Sequence, residues 1–278
     1  MKGVPMQILP LALLLLMMPQ KGQVFSSSPA FPVGWVEAPA PSQGSVLQCA
    51  NYSRHEWSVE WSSGINVYDS SVEKRPGKAL PPGFVRTKEM KGRTMVQKVA
   101  DGWLVGFNAG EFGGGLWWSD ESGLRTRKLS GENVTAFVPR GDAVLVFTGL
   151  AHMSMDEGKL YSFTAKNSGT LVLIADIGSE PAAAMMGNNG TVLIATHIGV
   201  LQLTTNNGLA LLYGNPAMGL LYPNSIIEDV AGSIVVGMRF YALRLERSAA
   251  DYKPIWYVPR ACSNTRLKRF DCECVGKP

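Results

Sequence analysis

The segment HMSMDEG (152–158) brings an imidazole and two carboxylates, His152, Asp156 and Glu157, together in one short stretch. Such groups ligate metal ions, so a metal site is one interpretation, and a solvated acidic loop is the other. The chain contains no D-x-D-x-D-G calcium loop, H-E-x-x-H, G-x-S-x-G, P-loop or dinucleotide fingerprint. We therefore predict no metal, no cofactor and no catalytic residue, and interpret these three side chains as parts of a binding loop.

A repeat provides the framework for this loop. The segment VLIATHIGVLQLTTNNGLALLYG (192–214) aligns without a gap with IVVGMRFYALRLERSAADYKPIW (234–256), and two longer copies begin at Trp103 and Val144. Each copy has two apolar runs followed by a small polar cluster, ESG, NSG, NNG or SAA, and Gly or Asn suits tight hairpin turns. With a further apolar segment upstream, each unit holds four short strands, which is typical of a propeller blade.

The fold predicted from these units is all-β, a β-propeller of about five four-stranded blades over residues 55–260. The third strands of four blades are predicted at 116–120, 159–164, 200–204 and 242–246. A fifth blade is predicted within 57–83, where aromatic and polar residues alternate around a Ser-Gly turn. Because an open ring exposes sheet edges, we expect a strand from one terminus to join the blade formed by the other.

The two ends of the chain have their own character. Residues 1–30 contain an early Lys2 and an apolar run, Ile8 to Met18, which is too short to span a bilayer and is typical of a signal peptide. An uncleaved membrane anchor is the alternative, and the cleavage site stays open. Residues 31–54 form an N-terminal extension and 261–278 a basic tail. We predict a periplasmic or extracellular protein.

The cysteines lie only near these ends. In an exported protein an even number of cysteines predicts disulfides, and at least one is expected to tie the seam of the ring. The four cysteines are Cys49, Cys262, Cys272 and Cys274. Most of the formal net charge of +4 also lies near the ends. The sequence therefore has no basic stripe along the domain, and we predict no nucleic acid partner.

One hairpin segment resembles a known motif. WWSDESGLRTRKL (117–129) is predicted as a third strand, turn and fourth strand, and it resembles a degenerate Asp-box of sialidase-type propellers. Ser119, Gly123 and Leu129 match, whereas Glu121 stands in place of Asp and Thr126 in place of Trp. The repeats between about 94 and 258 also resemble those of two-component-regulator sensor domains, the nearest copy being ADGWLVGFNAGEFGGGLWW. Both resemblances imply the fold rather than an activity.

Blade topology predicts where binding residues lie. Loops between second and third strands share one face with the blade-to-blade connections, and long loops on a rigid scaffold commonly bind partners. The repeat alignment makes Asn108, Gly149, His197 and Arg239 equivalent, either as a polar ring around a central channel or as ordinary strand ends. The residues predicted to bind on this face are Asn108, Glu111, Phe112, His152, Met153, Met155, Asp156, Glu157, His197, Tyr222, Arg239, Phe240 and Tyr241.

The function predicted from this face is docking of another protein, such as a secreted or cell-wall-active enzyme, which the module inhibits or scaffolds. Aromatic and methionine side chains are favoured at interface centres, and the expected anchors are Phe112, Met153, Met155, Phe240 and Tyr241. One alternative is a sialidase-like glycan hydrolase, for which the ring positions offer a single arginine, Arg239. The other is a lectin for a sugar or small ligand, built on the aromatic residues of the same loops.

Overall fold

The structure is a computed structural model, and it describes residues 29–42, 44, 53–73, 78–165, 169–248 and 251–262. The predicted signal segment, except for its last two residues, lies outside this description, as do Cys49, Cys272 and Cys274. Within the described residues no helix is both long and apolar enough to cross a membrane.

The described residues form antiparallel sheets made of strands that are consecutive in the chain, except that the first strand joins the last sheet. Three strands come first: β1 (Trp35–Ala38), β2 (Trp57–Trp61) and β3 (Ile65–Asp69).

Blade 1 contains β4 (Arg93–Val99), β5 (Gly102–Asn108), β6 (Gly114–Ser119) and β7 (Thr126–Ser130). Blade 2 contains β8 (Val134–Arg140), β9 (Ala143–His152), β10 (Met155–Thr164) and β11 (Thr170–Asp176). Blade 3 contains β12 (Pro181–Met186), β13 (Val192–Thr196), β14 (Gly199–Leu203) and β15 (Leu209–Gly214). Blade 4 contains β16 (Ser225–Glu228), β17 (Ile234–Gly237), β18 (Ala242–Arg247) and β19 (Tyr252–Pro259), and a short helix α1 (Met218–Leu221) precedes it.

These sheets confirm the repeat. The third strands β6, β10, β14 and β18 overlap the four segments predicted for them. Each blade follows the up-and-down strand order of propeller blades. Successive side chains of a strand point to opposite faces of the sheet, and apolar side chains occur on both faces. They pack between neighbouring blades. Leu104 and Leu116 of blade 1, for example, pack with Val134 and Val146 of blade 2.

The expected fifth blade differs from the prediction. Between residues 57 and 83 the described residues contain only the hairpin β2–β3, not four strands. The sequence after Asp69 is rich in Pro, Gly and charged residues and lacks the alternation that a strand needs. The structure therefore has four complete blades and a two-stranded hairpin.

Residues that precede the blades cover the outer faces of the first and last blades. The hairpin lies on blade 4, where Val59 packs on Ile227 and Val235 and its N–H donates to Ser225 Oγ at 2.8 Å. On blade 1, Phe84 packs in the same cluster as Phe107. A propeller blade normally buries both faces against its neighbours, and these segments provide that burial here.

Strand β1 joins the far edge of blade 4. It pairs antiparallel with β19, with Trp35 opposite Pro259 and Ala38 opposite Trp256. The expectation that a strand near one terminus joins the blade near the other is confirmed. Cys262, just after β19, is buried and is not a free thiol. Because the other three cysteines lie outside the described residues, a bridge that ties the seam stays a prediction.

A buried ion pair fastens the N-terminal segment to blade 4. Arg244 Nη2 donates to Asp229 Oδ2 at 2.9 Å, and both side chains are almost fully buried. Arg244 Nη1 donates to the carbonyl oxygen of Pro29 at 2.7 Å. Asp229 Oδ1 accepts the backbone N–H groups of Ala231 and Ser233 at 2.8 and 2.9 Å. The pair thus links the turn between β16 and β17, strand β18 and the N-terminal segment.

The hairpin that resembles an Asp-box is a structural turn. Asp120, rather than Glu121, makes its hydrogen bonds: Oδ1 accepts from Ser122 Oγ and Oδ2 from Arg125 Nε, each at 3.0 Å. The Arg125 side chain lowers the pKa of the Asp120 carboxyl. Glu121 instead forms an ion pair with Lys98.

Candidate functional site

The hairpin β9–β10 projects beyond its sheet. The segment 149–158, expected as a loop, continues the antiparallel ladder as far as the pair His152–Met155. Strand β8 pairs with β9 only from Ala143 to Thr148, so the last part of the hairpin has no strand beside it on that side. The chain reverses through Met153 and Ser154, and Met153 has a φ of +53°. That left-handed conformation costs an L-residue about 1–2 kcal/mol, so glycine would be favoured at Met153 if only the turn mattered.

Three exposed apolar side chains lie at this end of the molecule. Phe112 is 74% exposed, Met153 95% and Met155 51%. Phe112 belongs to a 3-10 turn, Gly110–Phe112, between β5 and β6. The neighbouring Glu111 forms an ion pair with His152, with Oε2 and Nε2 2.6 Å apart. This contact joins the blade 1 loop to the hairpin tip, and Phe112, Met153 and Met155 are called the tip patch below.

Two of the predicted anchors lie in the core instead. Phe240 is only 3% exposed and Tyr241 is also buried. Their rings pack edge to face on each other at 5.1 Å, and Tyr241 packs on Trp256 at 5.8 Å. Phe240, in the short connection between β17 and β18, adopts a φ of +65°. The alignment placed this segment between two strands, but it could not show on which side of the backbone the rings pack.

The acidic side chains of the hairpin do not converge on a metal site. Asp156 Oδ2 accepts from Ser179 Oγ and its Oδ1 from the Glu180 N–H, both at 2.7 Å. Asp156 thereby holds the connection between blades 2 and 3, while His152 pairs with Glu111 and Glu157 is exposed. Among the residues that the structure describes, no group of three or more His, Cys, Asp and Glu side chains is placed to hold a metal ion.

A cavity of about 210 Å³ lies between the four blades on the same face. Its lining comes from the first strands of blades 1 to 3, the second strands of blades 1 and 2, the segments that precede blades 3 and 4, and the turn after β13. The lining residues are Arg93, Met95, Asn108, Thr135, Ala151, Glu180, Ala182, His197, Tyr222, Pro223 and Asn224. It is called the central cavity below.

The four residues that the repeat makes equivalent do not form one ring. Asn108 and His197 line the central cavity. Arg239 lies behind Tyr222, with its guanidinium 4.3 Å from the ring centroid, and pairs with Glu56 at 2.9 Å. Gly149 lines a second cavity, also of about 210 Å³.

This second cavity contains the carboxylate of Glu132. Lys159 and Thr148 each donate to Glu132 at 2.7 Å, and the Tyr161 hydroxyl donates at 3.1 Å. Burial acts to raise the pKa of Glu132, but these three hydrogen bonds outweigh it and lower the pKa. Because the Glu132 carboxylate already accepts three hydrogen bonds, we interpret this cluster as a structural network at the connection between blades 1 and 2.

Glu180 and His197 are the titratable pair of the central cavity. Glu180 Oε2 lies 3.5 Å from His197 Nε2, and the side chains are 18% and 11% exposed. Burial raises the pKa of the Glu180 carboxyl, and the charge of Asp156 raises it further, against a hydrogen bond from the Ala151 N–H. Burial also lowers the pKa of the His197 imidazole. Burial thus disfavours the charged form of both side chains.

Sequence reasoning missed Glu180. It lies in the segment SEPA, in the connection between blades 2 and 3, which the topology assigns to the long-loop face. A lone glutamate beside a proline carries no motif, and its partners lie on β9 and in the turn after β13. Its position in a blade-to-blade connection was the one available signal.

Two residues of the lining, Asn224 and Thr135, each have an unsatisfied polar atom that is shielded from solvent. Asn224 Oδ1 accepts from the hydroxyls of Ser58 at 3.0 Å and Ser225 at 2.8 Å, which leaves Nδ2 as the free end of the amide. Within the described part of the chain, neither Asn224 Nδ2 nor Thr135 Oγ1 has a hydrogen-bond partner, although both atoms are buried. An unsatisfied buried polar group costs about 1–3 kcal/mol, so these two atoms lower the stability of the fold.

Comparison with known proteins identifies similar folds only. No family model and no curated protein matches the chain. Among solved structures, the chain is similar to the Dos1 propeller, at 12% identity and a TM-score of 0.41 over 59% of this chain and 46% of that one. A streptogramin B lyase matches at 12% identity and 0.41 over 73% and 69%. The extracellular domain of a hybrid two-component system from B. thetaiotaomicron matches at 15% identity and 0.41, over 73% of this chain and 24% of that one.

These neighbours are β-propeller proteins. This chain spans less than half the length of the first and third of the three structures. The similarity concerns the fold, and the activities of those proteins are not carried over to this chain.

Proposed function

We propose that this protein is an exported β-propeller-type binding module that docks a second protein through the tip patch. The observation that carries the proposal is Met153, a large apolar side chain that is almost fully exposed and has a backbone conformation that disfavours residues other than glycine. Strained residues of this kind persist at sites of function. Phe112 and Met155 extend the apolar surface around it.

The surroundings of the patch suit protein docking. The Glu111–His152 ion pair joins two loops from different blades, so their apolar side chains are already close together before binding. Less ordering is then required on association, which favours affinity. Methionine and phenylalanine at the centre with charged groups around them is the usual composition of a protein interface. Inhibition or scaffolding of a secreted or cell-wall-active enzyme is the role that we propose for this docking.

The arginines argue against the sialidase-like alternative. Arg239 pairs with Glu56 and Arg244 with buried Asp229, while Arg140 donates to Asn207 at 2.8 Å in the turn after β14. Each of these arginines is engaged at a different place, whereas a sialidase requires a cluster around one substrate carboxylate.

The test is capture of exported proteins from the source cells on the immobilised chain, followed by affinity measurement with the captured protein. We expect Met153→Gly and Phe112→Ala each to weaken binding by about thirtyfold, which corresponds to about 2 kcal/mol. Glycine tolerates a positive φ, so Met153→Gly is expected to leave the melting temperature unchanged or to raise it.

The matched control is Leu211→Ala on β15, another strongly exposed apolar side chain far along the chain from the tip patch. It should bind like the unsubstituted protein. Equal capture by Met153→Gly and the unsubstituted chain, or a loss confined to Leu211→Ala, would refute docking through the tip patch.

A further inference from the structure

Three segments of the chain have the pattern Asn-x-Ser/Thr, which is the acceptor sequence for N-linked glycans in secreted proteins. They are NYS (51–53), NVT (133–135) and NGT (189–191). So short a pattern also arises by chance, and a usable acceptor must in addition lie on the surface, because the glycan is bulky and hydrophilic. Asn51 lies outside the described residues, so the structure distinguishes between the other two.

The surroundings of Asn133 exclude a glycan. Asn133 is only 8% exposed, and Nδ2, the atom to which a glycan would be attached, donates to the carbonyl oxygen of Gly110 at 2.9 Å. Thr135 Oγ1, the hydroxyl of this pattern, is buried without a partner in the described part of the chain, so it makes no hydrogen bond to the Asn133 amide. A glycan here would break the contact with Gly110 and bring sugar hydroxyls into the connection between blades 1 and 2.

The surroundings of Asn189 are the opposite. It is exposed in the turn between β12 and β13 of blade 3. Thr191 Oγ1 donates to Asn189 Oδ1 at 2.7 Å, and the Thr191 N–H donates to the same oxygen at 3.4 Å. The oxygen end of the amide therefore faces the threonine, and Nδ2 is at the other end of an exposed side chain. The hydroxyl that the pattern requires already lies beside the asparagine amide.

The turn is fixed by the residues on either side of Asn189. The Asn188 N–H donates to Glu228 Oε2 at 2.6 Å, and Asn188 Nδ2 donates to the carbonyl oxygen of Asp229 at 2.9 Å, so the turn is fastened to blade 4. Gly190 adopts a φ of +76°, which suits glycine. Since none of these features involves the side chain of Asn189, a glycan attached to it would leave them intact.

The place of this turn in the blade separates it from the tip patch. Asn189 follows a first strand, whereas Phe112 and Met153 each follow a second strand. In the up-and-down order of a blade, turns after first strands lie at the end of the sheet opposite to loops after second strands. A glycan on Asn189 would therefore leave the tip patch open for docking.

We propose that Asn189 carries an N-linked glycan in the exported protein and that Asn133 carries none. The co-substrate is an oligosaccharide linked to a lipid diphosphate, which an oligosaccharyltransferase of the export pathway supplies. Asn189 Nδ2 forms a bond to the anomeric carbon of the first sugar, and the bond from that carbon to the diphosphate oxygen breaks. The amide loses a proton and the lipid diphosphate leaves. This modification requires the export proposed above but not the docking.

The test is expression of the full chain in secreting eukaryotic cells, once with its own predicted signal segment (1–30) and once with a signal peptide of known function in its place. Mass spectrometry of intact glycopeptides from the secreted protein reads each asparagine separately. We expect the glycan on most copies of Asn189 and an unmodified Asn133.

Variants of the two patterns test the assignment. Asn189→Gln and Thr191→Ala should each abolish the glycan at position 189. Thr191→Ser keeps the hydroxyl and should retain the glycan, which separates loss of the hydroxyl from damage to the turn, because Thr191 Oγ1 also accepts from Gln202 Nε2 at 3.0 Å. Thr135→Ala is the matched control: it removes the hydroxyl of the buried pattern and should leave every glycopeptide unchanged.

Three outcomes would overturn the proposal: an unmodified Asn189 in protein secreted with the known signal peptide, a glycan on Asn133, or a Thr191→Ala variant that keeps the glycan. Export by the chain's own signal segment fails separately, if that chain alone stays inside the cells while the other is secreted with Asn189 modified. Enzymatic removal of the glycan should leave docking unchanged, which keeps this result distinct from the docking experiment.

Discussion

The ion pair between Asp229 and Arg244 supports a quantitative prediction about how the blades are held together. Arg244→Met keeps most of the volume of the side chain but leaves the Asp229 carboxylate buried without its cation. Removing one partner of a buried pair costs about 3–5 kcal/mol. The substitution also removes the 2.9 Å hydrogen bond to Asp229 and the 2.7 Å hydrogen bond to Pro29.

The assay is urea unfolding followed by circular dichroism, together with thermal melting. For a domain of this size, 1 kcal/mol corresponds to about 2–4 °C, so Arg244→Met should lower the melting temperature by about 6–20 °C. The double variant Asp229→Asn/Arg244→Met removes both charges, and the asparagine can still accept the N–H groups of Ala231 and Ser233. We expect it to recover about 1–3 kcal/mol of the loss.

Arg125→Met is the control, because Arg125 also pairs with an aspartate but is mostly exposed. Its midpoint should change far less than that of Arg244→Met. Two results would show that buried charge is not the cause of the loss. One is an Arg244→Met variant that is as stable as this control. The other is a double variant that is less stable than Arg244→Met by as much as Asp229→Asn alone destabilises the unsubstituted chain.

Further predictions concern the cavity, one turn and the tip. Because the pKa of Glu180 is raised, its charged form is penalised, so Glu180→Gln should gain stability over the unsubstituted chain as the pH rises above about 4.5, measured by urea unfolding. The lowered pKa of His197 acts oppositely: its contribution should be lost as the pH falls below about 6.5, and His197→Gln should remove that loss. Gly123→Ala should lower the melting temperature, because Gly123 has a φ of +77° and a Cβ would lie 2.0 Å from the Pro82 carbonyl oxygen. His152→Ala should leave the melting temperature nearly unchanged but weaken docking, since its ion pair is exposed and holds the tip loops.

Much of the blade architecture follows from local sequence. Alternating apolar residues define each strand, and Gly123, Asn207 and Gly169 adopt the positive φ that the turns between third and fourth strands require. Both signals involve only a few neighbouring residues, so they can be recognised in the sequence without knowledge of the rest of the chain. They were sufficient to predict the third strand of all four blades, and the exposure of Phe112 and Met153 at loop tips followed from the same topology.

What the local signals cannot determine is which side chains a loop turns inward and what covers the outer blades. Phe240 and Met153 are both apolar residues with a positive φ in connections between second and third strands, yet one is buried and the other exposed. The difference arises because Phe240 packs on Tyr241, which itself packs on Trp256, while the hairpin β9–β10 carries Met153 past its sheet. The contacts of Glu180 likewise come from Ala151 on β9 and from His197 after β13, which are distant in the sequence. The sequence by itself therefore determined the strands and turns, whereas the tertiary structure decided the cavity, because its pKa shifts and unpaired groups arise from contacts between different blades.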